Sequence, residues 1–397
     1  MDLLLAGIVG VFALLLLAPC VVDLGALVRR TRQRRRKEEG ARFTGLERLL
    51  FLVPARNEAD VLDSCLQSLL ELRYPEERRG ILVVADGCDD DTAAVARRLG
   101  VRVQERAAVG DAGKGAAIGW ALRHIALQDW DAIVVVDADS IVDPEFGIRL
   151  SACGPLRDKA LQATFLPRNP ADSPLTRMAE LLSVVYYGLL YPLKRAGGLN
   201  VPLTGNGMSL GTSVLDRLGW KTSTLCEDTE MYVILTLGGV RILTAPGAVV
   251  RAYEARTLRE SGDQRRRWRS GRIRVLSRYG RNVLLHRDLG LLQKADVLAE
   301  LLLPGPVVQA CSAAALGLLA VLAGLPGNGI LVGALALSPA RFALLCLLAL
   351  RRVPEPARTA AALLHLPAYA AWRVGAEWRS IARPGDIGWG SRRGGAD

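Results

Sequence analysis

Two aspartates stand two residues apart in "VVVDADS", Val134–Ser140, at the end of a valine-rich run. Side chains at i and i+2 of a strand project from one face, so Asp137 and Asp139 can reach one hard cation together while Ala138 turns away. An oxygen-only pair suits Mg2+ or Mn2+, which share their shells with water and ligand phosphates. A plain strand-to-helix turn, with Asp143 as N-cap and Pro144 as first helical residue, explains Asp143 well and Asp137 poorly. A second strand-like run also ends in carboxylates, "VVADGCDDDT", Val83–Thr92. There Asp86 can accept from a base N–H or a ribose hydroxyl, while Asp89, Asp90 and Asp91 charge and cap the next helix.

Three further stretches carry chemistry. "GDAGKGAAIG", Gly110–Gly119, is not a phosphate loop, because Gly115 stands where Ser or Thr belongs and Ala108 where the leading Gly belongs. Lys114 between two glycines still reads as an ammonium brought close to something anionic. In "TLCEDTE", Thr224–Glu230, Thr224 and Glu227 have capping-box spacing. A helix amino end also favours the charged form of a carboxylate, which keeps Asp228 ionised and able to accept a proton. The last is "QRRRWRSGR", Gln264–Arg272, a tryptophan among five arginines. On a helix Gln264, Arg267 and Trp268 share one face, continued by Val275 and Tyr279, while Arg265, Arg266 and Arg269 point outward to lipid phosphate or water. An Arg on the inward face can clamp a diphosphate, and an indole can pack on a sugar.

The elements that must position these residues are legible in the texture of the chain. From Leu49 to about Tyr253 strand-like runs ("LLFLVPA", "ILVVADG", "VRVQER", "AIVVVDAD") alternate with helix-like stretches at Val61–Leu72, Ala93–Leu99 and Ala116–Leu127. Such alternation predicts an α/β domain with a mostly parallel sheet, and places ligands at the carboxyl ends of its strands. Outside that domain the texture is a membrane protein's. Half of the 397 residues are hydrophobic and mean hydropathy is +0.22, yet aromatics are only 5%. The apolarity comes in long Leu, Ala and Val runs. Leu3–Val22 is long enough to cross, and it lacks the basic n-region of a signal peptide, so it reads as an uncleaved anchor with its amino terminus outside. Leu301–Gly324 and a second run to Leu350 predict a hairpin through the bilayer, with Arg341 facing protein or water or snorkelling to an interface. Thr359–Trp372 is too short and interrupted for a span.

The net charge of +11 gathers in Arg29–Lys37 and Arg256–Arg281. Such clusters stay cytoplasmic against anionic lipid, so membrane lipids are expected partners. Nucleic acid is not, for want of zinc-finger spacing, an RNA-recognition aromatic motif or a basic zipper. Seven cysteines without a C-x-x-C and three scattered histidines predict reduced thiols and no zinc site.

Taken in order, "VPARNEAD" (Pro54, Asn57, Glu58), "ADGCDDDT", "GKG", "DAD", "TGNGMSL", "CEDTE" and "QRRRW" resemble the membrane-bound family 2 glycosyltransferases, the group of cellulose, chitin, hyaluronan and poly-N-acetylglucosamine synthases. The resemblance runs from Leu49 to Trp268 and implies a GT-A fold. It implies that Asp86 binds the nucleotide base, that Lys114 and Asp137 hold a UDP-sugar donor, that Asp139 with Asp137 coordinates Mg2+ or Mn2+, and that Asp228, beside Glu227, is the general base. Pro54 and Glu58 fall in the donor-site motif, and Gln264, Arg267 and Trp268 line the acceptor and diphosphate site. Ala85 departs from relatives that carry a second Asp there. The implied activity is metal-dependent inverting transfer, building a β-linked polysaccharide in the plasma (inner) membrane with the catalytic domain cytoplasmic. Single-sugar transfer to a membrane lipid is the alternative, and a non-catalytic nucleotide-sugar-binding scaffold the remote one. About three spans are few for a secretion channel, so export implies a partner subunit or oligomer. The expected organisation is an anchor and basic segment at 1–48, the GT-A domain at 49–255, interfacial amphipathic helices at 256–296, and a hairpin, interfacial segment and basic tail at 297–397.

Overall fold

The computed structural model describes residues 2–34, 45–107, 113–324 and 327–382. Arg35–Lys37 of the first basic run, Ala108–Ala112 ahead of Lys114, Leu325 and Pro326 of the hairpin turn, and the tail from Arg383 lie outside them. The described residues form two compact units. One is built from 45–107, 113–169 and 200–254, the other from 2–34, 170–199 and the described residues after 254.

The first unit is α/β. Its strands are β1 (Leu49–Ala55), β2 (Arg79–Asp86), β3 (Arg102–Arg106), β4 (Ala132–Val135), β5 (Ser140–Val142), β6 (Ala160–Pro167), β7 (Met208–Gly211) and β8 (Ile242–Ala252). They form one eight-stranded sheet in the order β3-β2-β1-β4-β7-β6-β8-β5. The β3-β2-β1-β4 half is parallel, β7 is antiparallel to both β4 and β6, β6 and β8 run parallel, and β5 is antiparallel to β8. All seven residues of β1 are buried, which is why "LLFLVPA" reads as an unbroken apolar run. Both edges are blunted: β3 is charged ("RVQER"), and β5 is three residues long. Phe51, Val53 and Ala55 meet Leu62, Leu66 and Leu69 of the helix Ala59–Leu70 in a core shared with Phe146 and Leu150. Asp143 is not a helix cap: the helix begins at Phe146, and Asp143 pairs with Arg251 at 3.1 Å, a partner set by strand pairing rather than local sequence.

The second unit is helical. Its helices span Asp2–Arg34, Pro174–Ala196 with a π-helical stretch at Val184–Leu190, Leu258–Leu285, Leu291–Leu302, Pro306–Leu322, Asn328–Leu350, Pro356–Ala362 and Leu366–Ala382. Pro170–Leu199, inside the range expected for the α/β domain, belongs to this unit. Two stretches, Val9–Arg32 and Asn328–Leu350, are long and apolar enough to cross a membrane. Of the expected first hairpin limb, Leu301–Gly324, only Pro306–Leu322 forms one helix; its start belongs to the preceding helix Leu291–Leu302, and the two are bent by 93°. The cause is local: Pro304 and Pro306 flank Gly305, and prolines remove the donors that would continue the ladder. Leu302 O accepts from Arg269 and Pro304 O from Gln309, which satisfies the freed carbonyls. Arg341 meets protein, its Nε 2.6 Å from Asp23 Oδ2.

A Cβ on Gly211 would lie 2.1 Å from the Arg157 carbonyl oxygen and 2.2 Å from that of Leu156. Gly211→Ala should therefore destabilise by about 3 kcal/mol, lowering the melting temperature of the full-length protein by roughly 6–12 °C. Gly10→Ala, which meets nothing within 4 Å, should leave it unchanged or raise it. Equal melting of the two variants would contradict this packing of β7.

Candidate active site

Strands β1, β2 and β4 run parallel, and Pro54, Asp86, Asp137 and Asp139 lie at or just past their carboxyl ends. Pro54 lies one residue before the end of β1, past the last β1–β4 pair, Leu52 with Val135, so its missing N–H costs that ladder nothing. Asn57 takes a left-handed φ of 54° and its Oδ1 accepts from Asp89 N. Glu58 starts the helix Ala59–Leu70, and its backbone N–H donates to Thr92 Oγ1. Among the three acids after Asp86, it is Asp90 that caps, accepting from Thr92 N and Ala59 N at 3.0 Å each. Asp86 closes β2 and is fully buried. Arg106, at the end of β3, donates to its Oδ1 at 2.6 Å, while Oδ2 has no hydrogen-bond partner. A buried carboxylate with one oxygen neutralised and the other waiting can only accept, so it fits a ligand's N–H or O–H.

Past the end of β4 lies a polar cluster centred on Lys114, the first residue of the helix Lys114–Leu122. Its Nζ lies 2.5 Å from Asp137 Oδ1 and 3.4 Å from Glu227 Oε1, and donates to Gly205 O at 2.7 Å. Burial opposes the ammonium's charge, but Asp137, Glu227 and Asp228 outweigh it and hold its pKa above the ordinary value. Gly115 lets the two helix starts approach, since a Cβ there would lie 2.9 Å from Glu227 Cβ. Gly205, at φ +81°, has Asp228 Oδ2 and Lys114 Nζ 3.2 and 3.3 Å from where its own Cβ would be. Asn206 ties the loop to the aspartate turn: its Oδ1 accepts from Asp137 N at 3.3 Å and its Nδ2 donates to Ser140 Oγ at 2.8 Å. Ser140 Oγ in turn donates to Asp139 Oδ1 at 3.2 Å.

The carboxylates of "CEDTE" depart from expectation. The helix runs Glu227–Leu237 with Cys226 as N-cap and no side-chain cap, so the Thr224–Glu227 box is not formed. Fully buried Glu230 does that work, its Oε2 accepting from Ser223 N and Thr224 N at 2.8 Å each. Glu227 is pushed up to about 7 by burial, with Asp228 and Asp137 adding to the effect against Lys114. Burial also raises Asp228 above the ordinary carboxylate range, although Thr229 N–H and Lys114 pull the other way. Thus burial outweighs the helix-end effect on Asp228, and a raised pKa makes a carboxylate a better proton acceptor.

Gln264, Arg267 and Trp268 belong to the helical unit, on one unbroken helix, Leu258–Leu285, capped by Thr257. Trp268 is 40% exposed and Val275 fully buried. Arg269 is not outward: it lies 3.1 Å from Glu377 and donates to Leu302 O. The helical wheel failed there because Arg269's partners come from distant helices. Sequence reasoning also passed over Arg106, Gly205 and Glu230. Arg106 and Glu230 were visible only as charges in "VRVQER" and "EDTE".

Among the described residues no three His, Cys, Asp or Glu side chains gather as a metal cage. Asp137 and Asp139, two oxygen donors at one strand end, fit a cation completed by water and ligand oxygens rather than one caged by protein.

Comparisons with known proteins bear on the family and the fold. A family model described as "Glycosyltransferase like family 2" matches residues 47–271. The probable glycosyltransferase YdaM of Bacillus subtilis is 26% identical over 243 residues, 59% of this chain and 57% of that one. A poly-beta-1,6-N-acetyl-D-glucosamine synthase of Staphylococcus aureus is 27% identical over 244 residues, 59% of this chain and 56% of that protein. The match thus spans little more than half the length of these relatives. The mannosyltransferase PcManGT of Pyrobaculum calidifontis, solved with GDP-Man and Mn2+, shares the fold over 93% of this chain and 99% of that one, with a TM-score of 0.57 at 20% identity.

Because the Glu227 pKa is raised from 4.5 to about 7, the folded chain keeps a proton there that the unfolded chain has released. The associated stability is complete below pH 4.5 and is lost as pH rises to about 7. Glu227→Gln should therefore remove a downward slope of melting temperature across that window. Parallel profiles for the two proteins would refute the burial of Glu227 as a protonated acid.

Proposed function

The chain belongs to the glycosyltransferase-like family 2, and from that premise we propose that it moves a sugar from a UDP-sugar, with inversion, onto a growing β-linked polysaccharide at a membrane. The observation that carries this reading is the buried Lys114 ammonium set among Asp137, Glu227 and Asp228.

In this reading Asp86 Oδ2 accepts from the nucleotide base, and Arg106 holds the carboxylate in place. Lys114 and Asp137 hold the donor. Asp137 and Asp139 would hold Mg2+ or Mn2+, which when bound offsets charge on the diphosphate. Asp228 takes the proton of the acceptor hydroxyl as that oxygen bonds to C1 of an α-linked sugar. The C1–O bond to the diphosphate breaks and its electron pair leaves with UDP, so the new linkage is β. Glu227, half-protonated near neutrality, sits beside the base and keeps a second negative charge from repelling it. The donor-motif roles of Pro54 and Glu58, and the acceptor and diphosphate roles of Gln264, Arg267 and Trp268, rest on sequence motifs alone.

A second reading, single-sugar transfer to a membrane lipid, is favoured by the supply of spans. Only two helices of spanning length are found among the described residues, three if the bent pair counts as one. That is few for a path that carries a polymer through the bilayer. For a polymer product, export would then fall to a partner subunit or an oligomer.

The test is purified protein in liposomes with labelled UDP-sugars and Mg2+ or Mn2+, followed by organic extraction and sizing. Large water-soluble label supports polymer synthesis, and label confined to the organic phase supports lipid glycosylation. Asp228→Asn should lower turnover by about 10²–10⁴-fold with donor KM little changed. Asp86→Asn should chiefly raise KM for the donor. Unchanged turnover in Asp228→Asn would remove it as the base.

A further inference from the structure

The helical unit encloses a polar cavity of about 100 Å³ that the sugar-transfer chemistry does not use. Two ion pairs line it, Arg341 with Asp23 at 2.6 Å and Lys194 with Asp296 at 2.8 Å. Arg272 and Glu300 add one charge of each sign to the wall. Two wall atoms are buried without a hydrogen-bond partner, Asp296 Oδ2 and Arg272 Nε, and Asp296 as a whole is 4% exposed. An acceptor atom and a donor atom left buried without hydrogen bonds are costly, and a ligand offering one group for each accounts for both.

The backbone points to the same place. The π-helical stretch Val184–Leu190 and the 93° break around Leu303–Gly305 both contribute to the wall. Such irregularities collect at binding sites.

Charge and size decide what the ligand is. Three carboxylates balance three cations in the lining, so a purely anionic group would meet as much repulsion as attraction. A cavity of ~150 Å³ holds one benzene ring, so this one is too small for a glycan chain and takes only a headgroup-sized fragment. Its walls come from both helices of membrane-spanning length, through Pro19 and Val22 on one and Phe342 and Leu345 on the other. The bilayer is therefore the source.

We propose that this cavity binds the headgroup of a zwitterionic phospholipid bearing a primary ammonium, with the ammonium on Asp296 Oδ2 and the phosphate on Arg272. The site is separate from the sugar-transfer reading and stands or falls without it.

The test is the melting temperature of delipidated full-length protein in nonionic detergent, titrated with phosphatidylethanolamine, phosphatidylcholine, phosphatidylglycerol, soluble phosphoethanolamine or a β-linked oligosaccharide. Phosphatidylethanolamine should raise it saturably by roughly 3 °C or more. Phosphatidylcholine, which has the phosphate but no N–H donor, should not, and phosphoethanolamine should act only at far higher concentration. Asp296→Asn and Arg272→Gln should each abolish the specific shift. Arg272 is in no ion pair among the described residues, so Arg272→Gln remains informative even where Asp296→Asn fails to fold. The proposal is overturned by equal shifts from the two zwitterionic lipids or by a shift from phosphatidylglycerol or the oligosaccharide alone. It is likewise overturned by phosphoethanolamine matching the lipid, by no shift with phosphatidylethanolamine, or by a full shift in Arg272→Gln.

Discussion

One buried ammonium organises the α/β unit. Lys114 starts a helix, reaches the turn after β4 through Asp137, the start of another helix through Glu227, and a loop carbonyl through Gly205. Three segments distant in sequence are thereby tied at one point. The attraction is unequal: Asp137 is held at 2.5 Å and Glu227 at 3.4 Å, so one cation cannot neutralise every acid around it. The imbalance appears as the raised pKa values of Glu227 and Asp228. A site with one cation and too many acids is poised both to take up positive charge and to move a proton.

The surrounding loops exist to let that contact form. Gly205 and Gly115 clear space that any side chain would fill, and Asn206 and Glu230 spend their polar atoms on backbone N–H groups and a hydroxyl. The helical unit solves a related problem differently, by matching Asp23 with Arg341 and Lys194 with Asp296 among mostly apolar residues.

How much of this was legible in the sequence follows from which forces are local. β1 and β2 announce themselves because buried parallel strands are continuous apolar runs, and Asp86, Asp137 and Asp139 follow from where such runs stop. β5 and β7 escaped because they are short, β6 and β8 because each also pairs antiparallel with one of these, and β8 carries Pro246 and Gly247 where its register against β6 jumps from Ala163–Ala245 to Thr164–Val249. Helix existence was legible in "QRRRW" but its facing was not. Arg269 turns inward to reach Glu377, a partner 108 residues away that no window contains. Likewise the Thr224–Glu227 spacing promised a capping box that does not form, and Glu230 instead accepts from the loop N–H groups of Ser223 and Thr224.

The Asp23–Arg341 pair joins residues 318 positions apart in the chain, and this separation has a consequence in time. A membrane protein inserts as it is made, and synthesis at about 5–20 residues per second puts roughly 15 to 60 s between the two halves of the pair. Throughout that interval Asp23, in the first helix, has no Arg341 to pair with. The first helix is thus an unfinished product until the last long helix arrives. A ribosome that stalls before Arg341 leaves behind a first helix whose Asp23 lacks the partner it holds in the finished fold.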